Sequence, residues 1–598
     1  MLDRRDFLIR SLGAGAAGLA GLSINSSVLA SDKSPLKLIP APEGWAAPSI
    51  RVGATMRDGV RLATDIWLPE GNGPFPAILM RTCYPYGVFS VLNQLVEQFR
   101  QAGYAFVVQF IRGQYGSEGK FIFGGANERT DGYDVVEWVA AQPWCDSNVG
   151  MLGTSYLAMT QLYAAATKPP HLKAISPIAP ITNFLDYTPF KGGAFSLGHM
   201  SFWPNLIQPD FLKYEPLTPE QQREMHRRRR HRPLIDAANG WLDGPYLEMY
   251  RSFFEHPQTD SEFWDNINYT DEDYSQMDVP MFWVSGHYDP STAHVLDAWR
   301  KIQKLAPGNQ HHMLLGPYSH GPMEEYGCRT TSFGPYEFGE NVITDNVAMR
   351  IPFFDRHLKG IDTGADLPNR VRAYITGSNV WREFSDVPVP EAKLRSLYLS
   401  SHGRAQSKTG DGVASFQSGS PAASDQVLVD PENPVSGPLI AAITSVADRE
   451  DVLVYNSAPL TEPVTIVGEP EAIIHIACDT PDADLIVALN EVRADGTTVK
   501  GASNVRRLRF RNGLGKKAVF MTPGKPEEVR LKLDWVCHTF QPGNRLQVTI
   551  SGTDFPSVEP NPNTGEPIAT ATKLQRTKLH IIHTDAMASR LELPTIVL

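Results

Sequence analysis

Cysteine is scarce in this chain. There are five in 598 residues and no paired C-x-x-C, so neither a disulfide framework nor a thiolate zinc site organises it, although one bridge would be compatible with an oxidising compartment. The H-E-x-x-H metal pattern is missing, as is any phosphate-binding loop, and Gly113, Gly116 and Gly119 lack the register of a dinucleotide fingerprint. No metal and no cofactor is therefore expected. Positive charge is in deficit: 55 Lys and Arg against 66 Asp and Glu leave a net charge of −11, which offers nothing to a nucleic acid. Past the first 30 residues no run approaches the roughly 18 apolar residues that a membrane span needs. What these gaps leave is a globular protein whose partner is a small molecule. Nothing in the sequence sets an oligomeric state.

The most informative segment that is present is Gly153-Thr-Ser-Tyr-Leu-Ala158. It follows a short apolar run, Val149 to Leu152, and opens a helical stretch from Met159 to Ala166. That context suits a nucleophile elbow, where a serine sits on a tight strand-to-helix turn flanked by small residues. Here Gly153 and Ala158 bracket the turn, while the position two after Ser155 carries Leu157. Short apolar runs at 75–80, 104–109, 172–177, 279–285 and 312–315 alternate with helical stretches, 127–142 among them. Such alternation predicts a doubly wound α/β sheet with its chemistry at the carboxyl ends of the strands. Asp289 and His320 fall just after two of these runs, so the order Ser155, Asp289, His320 is the α/β-hydrolase order of nucleophile, acid and base. The chemistry requires these three types. A serine hydroxyl is a weak nucleophile until an imidazole takes its proton, and a carboxylate fixes the imidazole tautomer and stabilises the imidazolium.

Other candidates read differently. His287 lies two residues before Asp289, too near along the chain to face it. His357 reads as the solvated side of a terminal helix, and His311-His312 open a strand with no metal-ligand spacing. The one basic run, Arg227 to Arg232, reads as a solvated helix face, with an anionic surface as the functional alternative.

The flanking residues resemble one family along nearly the whole chain after residue 30. They include Arg81-Thr-Cys-Tyr84, Arg112-Gly-Gln-Tyr-Gly-Ser-Glu-Gly119, Gln142 to Met151, Gly286-His-Tyr-Asp289, Gly316-Pro-Tyr-Ser-His320 and Phe353 to Gly360. The chain is similar to the CocE/NonD α/β-hydrolases, the group of X-prolyl dipeptidyl-peptidases, cocaine esterase and α-amino-acid ester hydrolases. The resemblance implies an oxyanion hole made by the backbone N–H of Tyr156 and the hydroxyl of Tyr84. A side-chain donor is consistent with the lack of a His-Gly-Gly-Gly loop. Tyr86 is the nearby rival, its other reading being a packing aromatic. The chain departs from the family at Cys83, often proline, and at Phe110, often aspartate. A third departure bears on substrate. The carboxylates that follow the catalytic aspartate in the amino-acid ester hydrolases are missing, because Asp289 is followed by Pro290, Ser291, Thr292 and Ala293. Only cap acids such as Asp186, Asp210 or Glu215 remain to meet a substrate ammonium.

Residues 1–30, with Arg4-Arg5 ahead of a Gly/Ala-rich apolar run and small residues at 28–30, match a twin-arginine signal and predict a periplasmic or secreted protein of bacterial origin. The α/β-hydrolase domain is expected at 31–185 and 277–365, interrupted by a helical cap at 186–276. Short strands separated by turns at 366–598 predict an antiparallel sandwich, which the resemblance makes a β jelly roll, with 402–428 as a loop inside it. Together these readings predict a serine hydrolase cleaving a carboxylic ester. An Xaa-Pro dipeptidyl-peptidase and an acylase acting on an amide are the alternatives within catalysis, and a non-catalytic binding protein the alternative outside it.

Overall fold

The computed structural model describes Leu36, Leu38 and residues 45–598 other than 87–91, 209–216, 309, 419–422 and 438–441. The leader at 1–30 and the cap acids Asp210 and Glu215 lie outside the described residues. Six strands open the chain: β1 (Ile50–Thr55), β2 (Arg61–Trp67), β3 (Phe75–Thr82), β4 (Ala105–Phe110), β5 (Cys145–Thr154) and β6 (Leu172–Ile178). They alternate with helices α1 (Leu92–Gln101), α2 (Ala126–Ala140) and α3 (Tyr156–Ala166) from β3 onward. The sheet runs β1-β2-β4-β3-β5-β6 and continues through Met281–Tyr288, His311–Ser319, Val371–Ile375 and Val380–Phe384. Its centre is parallel, with Ile78 beside Gly150, Met151 beside Ile175, and Ile178 beside Val284. Parallel strands covered on both faces must be apolar throughout, and β4, Ala-Phe-Val-Val-Gln-Phe, is buried at every residue.

The sheet extends further than the sequence suggests. Residues 371–376 and 381–384 were expected to begin the sandwich, yet Val371 pairs in parallel with Met313 and then antiparallel with Phe384. A short apolar strand carries no mark of the sheet it joins, so pairing alone decides this. The 402–428 stretch is likewise not all loop, since Val413–Ser415 and most of Ala423–Val429 are strands. Along Ala423–Val429 Asp425, Val427 and Val429 are buried and the residues between them exposed.

Between β6 and Met281–Tyr288 the chain leaves the sheet, makes a short hairpin at 190–195 and packs a run of helices. The C-terminal part is a 14-stranded, almost wholly antiparallel sandwich around Leu397, Tyr455, Ile474, Val487, Val548, Ile581 and Leu591. Among the described residues no helix is long and apolar enough to cross a membrane. All five cysteines are free and buried, so no disulfide forms.

The basic run is a partly solvated helix face. Pro219–Arg229 is a helix capped by Thr218, with no buried residue, and Arg227 and Arg228 pair with Glu224 on it. Arg227 and Arg230 are exposed. Others reach neighbouring segments: Arg229 donates to Ser201, Arg230 lies over Phe555, and Arg232 reaches Glu559 and the Pro560 carbonyl in the sandwich. Glu559 also meets Arg507, whose guanidinium is enclosed and bonded to Asp484 at 2.8 and 2.9 Å. Removing one member of such a buried group strands the others without a partner. Arg507→Met is expected to lower the unfolding free energy by about 3–5 kcal/mol, read as an earlier urea midpoint. Arg227→Met, on the exposed side, should leave that midpoint in place.

Candidate active site

The turn from β5 into α3 sets the position of everything else in the site. Ser155 occupies it with φ 63° and ψ −121°, a conformation that a side chain adopts only where its surroundings impose it. Its N–H donates to the Ile178 carbonyl at 2.9 Å, and its own carbonyl accepts from Ala158 and Met159. Gly153 explains how Leu157 is tolerated two positions after the serine. Gly153 has φ +140°, and a Cβ there would lie 2.6 Å from the Leu157 Cβ. The small residue two before the serine thus makes room for a large one two after it. Ten of the eleven residues of α3 are buried, so the helix is fixed on every side.

Tyr84, at the end of the β3 loop, is 5% exposed, and its hydroxyl lies beside the Ser155 side chain. Trp203 Nε1, from the cap, donates to the Tyr84 oxygen at 2.8 Å. Burial first, then neighbouring Cys83, push the Tyr84 phenol well above its ordinary value, so it stays protonated. Tyr86 is occupied otherwise: its hydroxyl donates to Asp65, which Arg51 also holds. Tyr156 stacks on Trp203 with centroids 6.2 Å apart and donates its hydroxyl to Glu128 at 3.0 Å. Its side chain is thereby buried, while its N–H opens α3, where no carbonyl within the helix can accept it. Trp203 had no sequence signal, because the cap carries many aromatics and only the fold selects this one.

His320 and Asp289 meet at neighbouring strand ends. His320 Nδ1 and Asp289 Oδ2 are 2.6 Å apart, and Asp289 Oδ1 accepts from the Ser291 N–H at 2.5 Å. Burial opposes the Asp289 charge, but His320 and the hydrogen bonds outweigh it and bring the carboxyl down to about 2. Burial likewise opposes charge on His320, and the Asp289 carboxylate more than offsets it, raising the imidazole. His320 remains open to the cleft, with 37% of its side chain exposed, while Asp289 is covered. Gly286 allows the two loops to come this close, since a Cβ there would lie 2.2 Å from the Tyr318 carbonyl oxygen.

Pro322–Tyr326 is a short helix that brings two further acids in. Glu325 accepts from Thr154, the residue before Ser155, and is paired with Arg350 at 2.8 Å. Glu324 Oε2 lies 3.7 Å from His320 Nδ1. Asp289, His320 and Glu324 are the cluster among the described residues with metal-ligating atoms within 4.8 Å of one another. His320 Nδ1 and both Asp289 oxygens already have hydrogen-bond partners.

The competing histidines are elsewhere. His287 Nε2 bonds the Tyr374 carbonyl at 2.6 Å, and Trp535 Nε1 donates to its Nδ1 at 3.1 Å. Both nitrogens are therefore engaged toward the sandwich. His357 is not a solvated helix face: it is half-buried against Phe353, and burial followed by His312 and Arg356 brings it down to about 4. His311 and His312 are buried where their strand begins.

A small pocket opens beside Ser155, walled mainly by Phe123, Tyr156, Phe184, His199, Trp203 and Phe253. His199 is brought down to about 4, by burial and then by His320, so this wall carries no charge at neutral pH.

A serine held on a strained strand-to-helix turn, and an imidazole–carboxylate pair at strand ends of the same sheet, place the chain among the α/β serine hydrolases. Residues 58–322 match the X-Pro dipeptidyl-peptidase (S15) family and residues 363–592 match the X-Pro dipeptidyl-peptidase C-terminal non-catalytic domain. The chain is 31% identical to the cocaine esterase of Rhodococcus sp. (strain MB1 Bresler) over 559 residues, 88% of this chain and 94% of that one. It belongs to the S15 family. Among solved structures, an aminopeptidase from a marine sediment Thaumarchaeota archaeon superposes with a TM-score of 0.80 at 25% identity, covering 95% of this chain and 99% of that one. An α-amino acid ester hydrolase shares the fold at 24% identity, with a TM-score of 0.76 over 94% of this chain and 100% of that one.

The histidines should titrate apart. His320 is expected to lose its proton above the ordinary value of about 6.5, whereas His199 and His287 stay neutral down to pH about 4. Imidazole ¹⁵N shifts across a pH series check this. A His320 midpoint below those of His199 and His287 contradicts it.

Proposed function

We propose that the protein hydrolyses carboxylic esters through an acyl-enzyme on Ser155. In this reading Ser155 Oγ turns from Tyr84 toward His320 Nε2, which takes its proton as the oxygen attacks the ester carbonyl. The Tyr84 O–H and the Tyr156 N–H receive the negative charge that develops on the carbonyl oxygen. His320 returns the proton to the leaving alcohol. It then activates a water that releases the acid, while Asp289 holds the imidazole tautomer throughout.

One observation carries the ester reading: among the described residues no carboxylate lines the pocket beside Ser155. Burying an ammonium without a partner is costly, so a substrate with a free α-amine gains nothing there. Asp186, the described cap acid, accepts from the Gly192 N–H at 3.0 Å. The match to cocaine esterase supports the same substrate class. The peptidase reading draws on a neighbouring cavity that shares His199 and contains Asp534 and Asp554. Each of these already faces a lysine, Lys191 at 3.5 Å and Lys500 at 3.8 Å.

Ser155→Ala is expected to abolish turnover and fluorophosphonate labelling with the fold intact, a loss of about 10⁴-fold or more. Tyr84→Phe should lower kcat by about 10²–10³-fold with little change in KM. Tyr86→Phe, which removes only a donor to Asp65, should leave kcat near its original value. Equal kinetic effects at the two tyrosines would remove Tyr84 from the oxyanion hole.

Substrate preference is the sharper test. Short p-nitrophenyl esters should be cleaved with higher kcat/KM than Ala-Pro or Gly-Pro anilides. N-acetylating a substrate should not slow it. A preference for the free-amine anilide over both its acetylated form and p-nitrophenyl acetate would replace the esterase with a dipeptidyl-peptidase.

A further inference from the structure

Two adjacent glutamates on the short helix 322–326 are both buried, yet their surroundings differ. Glu325 has a cation, Arg350, at 2.8 Å and a hydroxyl donor, Thr154. Glu324 is fully enclosed and is paired with no lysine or arginine. Its Oε2 accepts from the Gly321 N–H at 3.3 Å and lies 3.7 Å from His320 Nδ1. Its Oε1 is buried and meets no protein donor. What Glu324 does meet is Asp289: both carboxyls are buried, and with His320 their polar atoms lie within 4.8 Å of one another. Two buried negative charges this close oppose each other, so one of the pair carries a proton. Asp289 already has a cation-forming partner in His320 and a donor in Ser291, and Glu324 has no comparable stabilisation of charge. The proton therefore belongs on Glu324.

We propose that Glu324 is a positioning residue of the active site: a neutral carboxylic acid that donates a hydrogen bond to Asp289 and holds it in line with His320. Resting on the triad reading above, this adds a fourth group to it. Burial, then the Asp289 charge, keeps Glu324 protonated well above the ordinary carboxyl range. The donated bond spreads the Asp289 charge and so moderates how strongly Asp289 attracts a proton onto His320. The groups facing Glu324 are few. Asp289 comes from one strand end, His320 and Tyr318 from the next, Glu325 from its own helix and Tyr187 from the cap segment. Burial raises both tyrosines, which stay neutral, and Arg350 offsets Glu325.

The test uses Glu324→Leu, which fills the space without a donor, and Glu324→Gln, whose amide N–H₂ replaces the acid proton while its carbonyl still accepts from Gly321. The Leu variant is expected to lose roughly 10–100-fold in kcat, the range seen when a ligating histidine or carboxylate loses its outer hydrogen-bond partner. With the donor gone, Asp289 holds the imidazolium more tightly, so the acid limb of kcat/KM moves to higher pH. The Gln variant should recover most of the lost kcat and return the limb to its wild-type position. In an Asp289→Asn background the Leu change should cost little more, because Glu324 acts through Asp289.

Equal kcat and an unmoved limb in both variants would overturn the proposal. Equal losses in both with wild-type melting would do so too, since the amide preserves a donor. If the Leu variant does not fold, the Gln variant still decides: a shifted acid limb there contradicts a donor role. Loss of activity on chelation, restored by a divalent cation, would place a metal rather than a proton between the carboxylates. Fluorophosphonate labelling lost in Ser155→Ala separates failure of this proposal from failure of the triad reading.

Discussion

The backbone of Ser155 is held at a positive φ that costs on the order of 1–3 kcal/mol and persists only where neighbouring structure over-determines it. Each feature around it supplies part of that constraint. The parallel strands β5 and β6 fix the bond from its N–H to Ile178, and α3, buried on nearly every side, cannot rotate to relax the turn. Thr154 is tied to Glu325 and through it to Arg350, so the helix beside His320 is anchored to the same turn. The elbow and the imidazole are parts of one rigid unit.

The sandwich domain contributes to that rigidity rather than to the chemistry. Thr376, at the edge of the first sheet, exchanges backbone hydrogen bonds with Cys537 and Thr539, and Trp535 engages His287, two residues before Asp289. The cap is held by its arginines: Arg230 on Phe555, Arg232 on Glu559. The cap in turn brings Trp203 to Tyr84 and His199 to the cavity, so the position of the phenol depends on contacts made far along the chain.

The groups proposed to react differ from their neighbours mainly in what they hydrogen-bond. Tyr84 and Tyr86 are two residues apart, but Asp65 takes the hydroxyl of one and Ser155 meets the other. His287 has both nitrogens bonded, whereas His320 has Nδ1 on Asp289 and a ring edge open to the cleft. Among the described residues the wall beside Ser155 carries no charged group at neutral pH.

Much of the architecture was legible in the residues themselves. The strand–turn–helix at Ser155, the apolar runs of the parallel strands and the order of Ser155, Asp289 and His320 follow from local pattern, because period, small residues and chain order are properties of sequence. The sheet to which 371–384 belongs, the contact of Arg232 with Glu559, the burial of His357 and the approach of Glu324 to Asp289 were not legible. Each depends on a partner tens to hundreds of residues away. Local sequence sets which backbone a segment prefers and which chemistry it carries. Only the packed fold decides which buried polar group meets a donor, a cation or another carboxylate, and with that which side chains are left free to react.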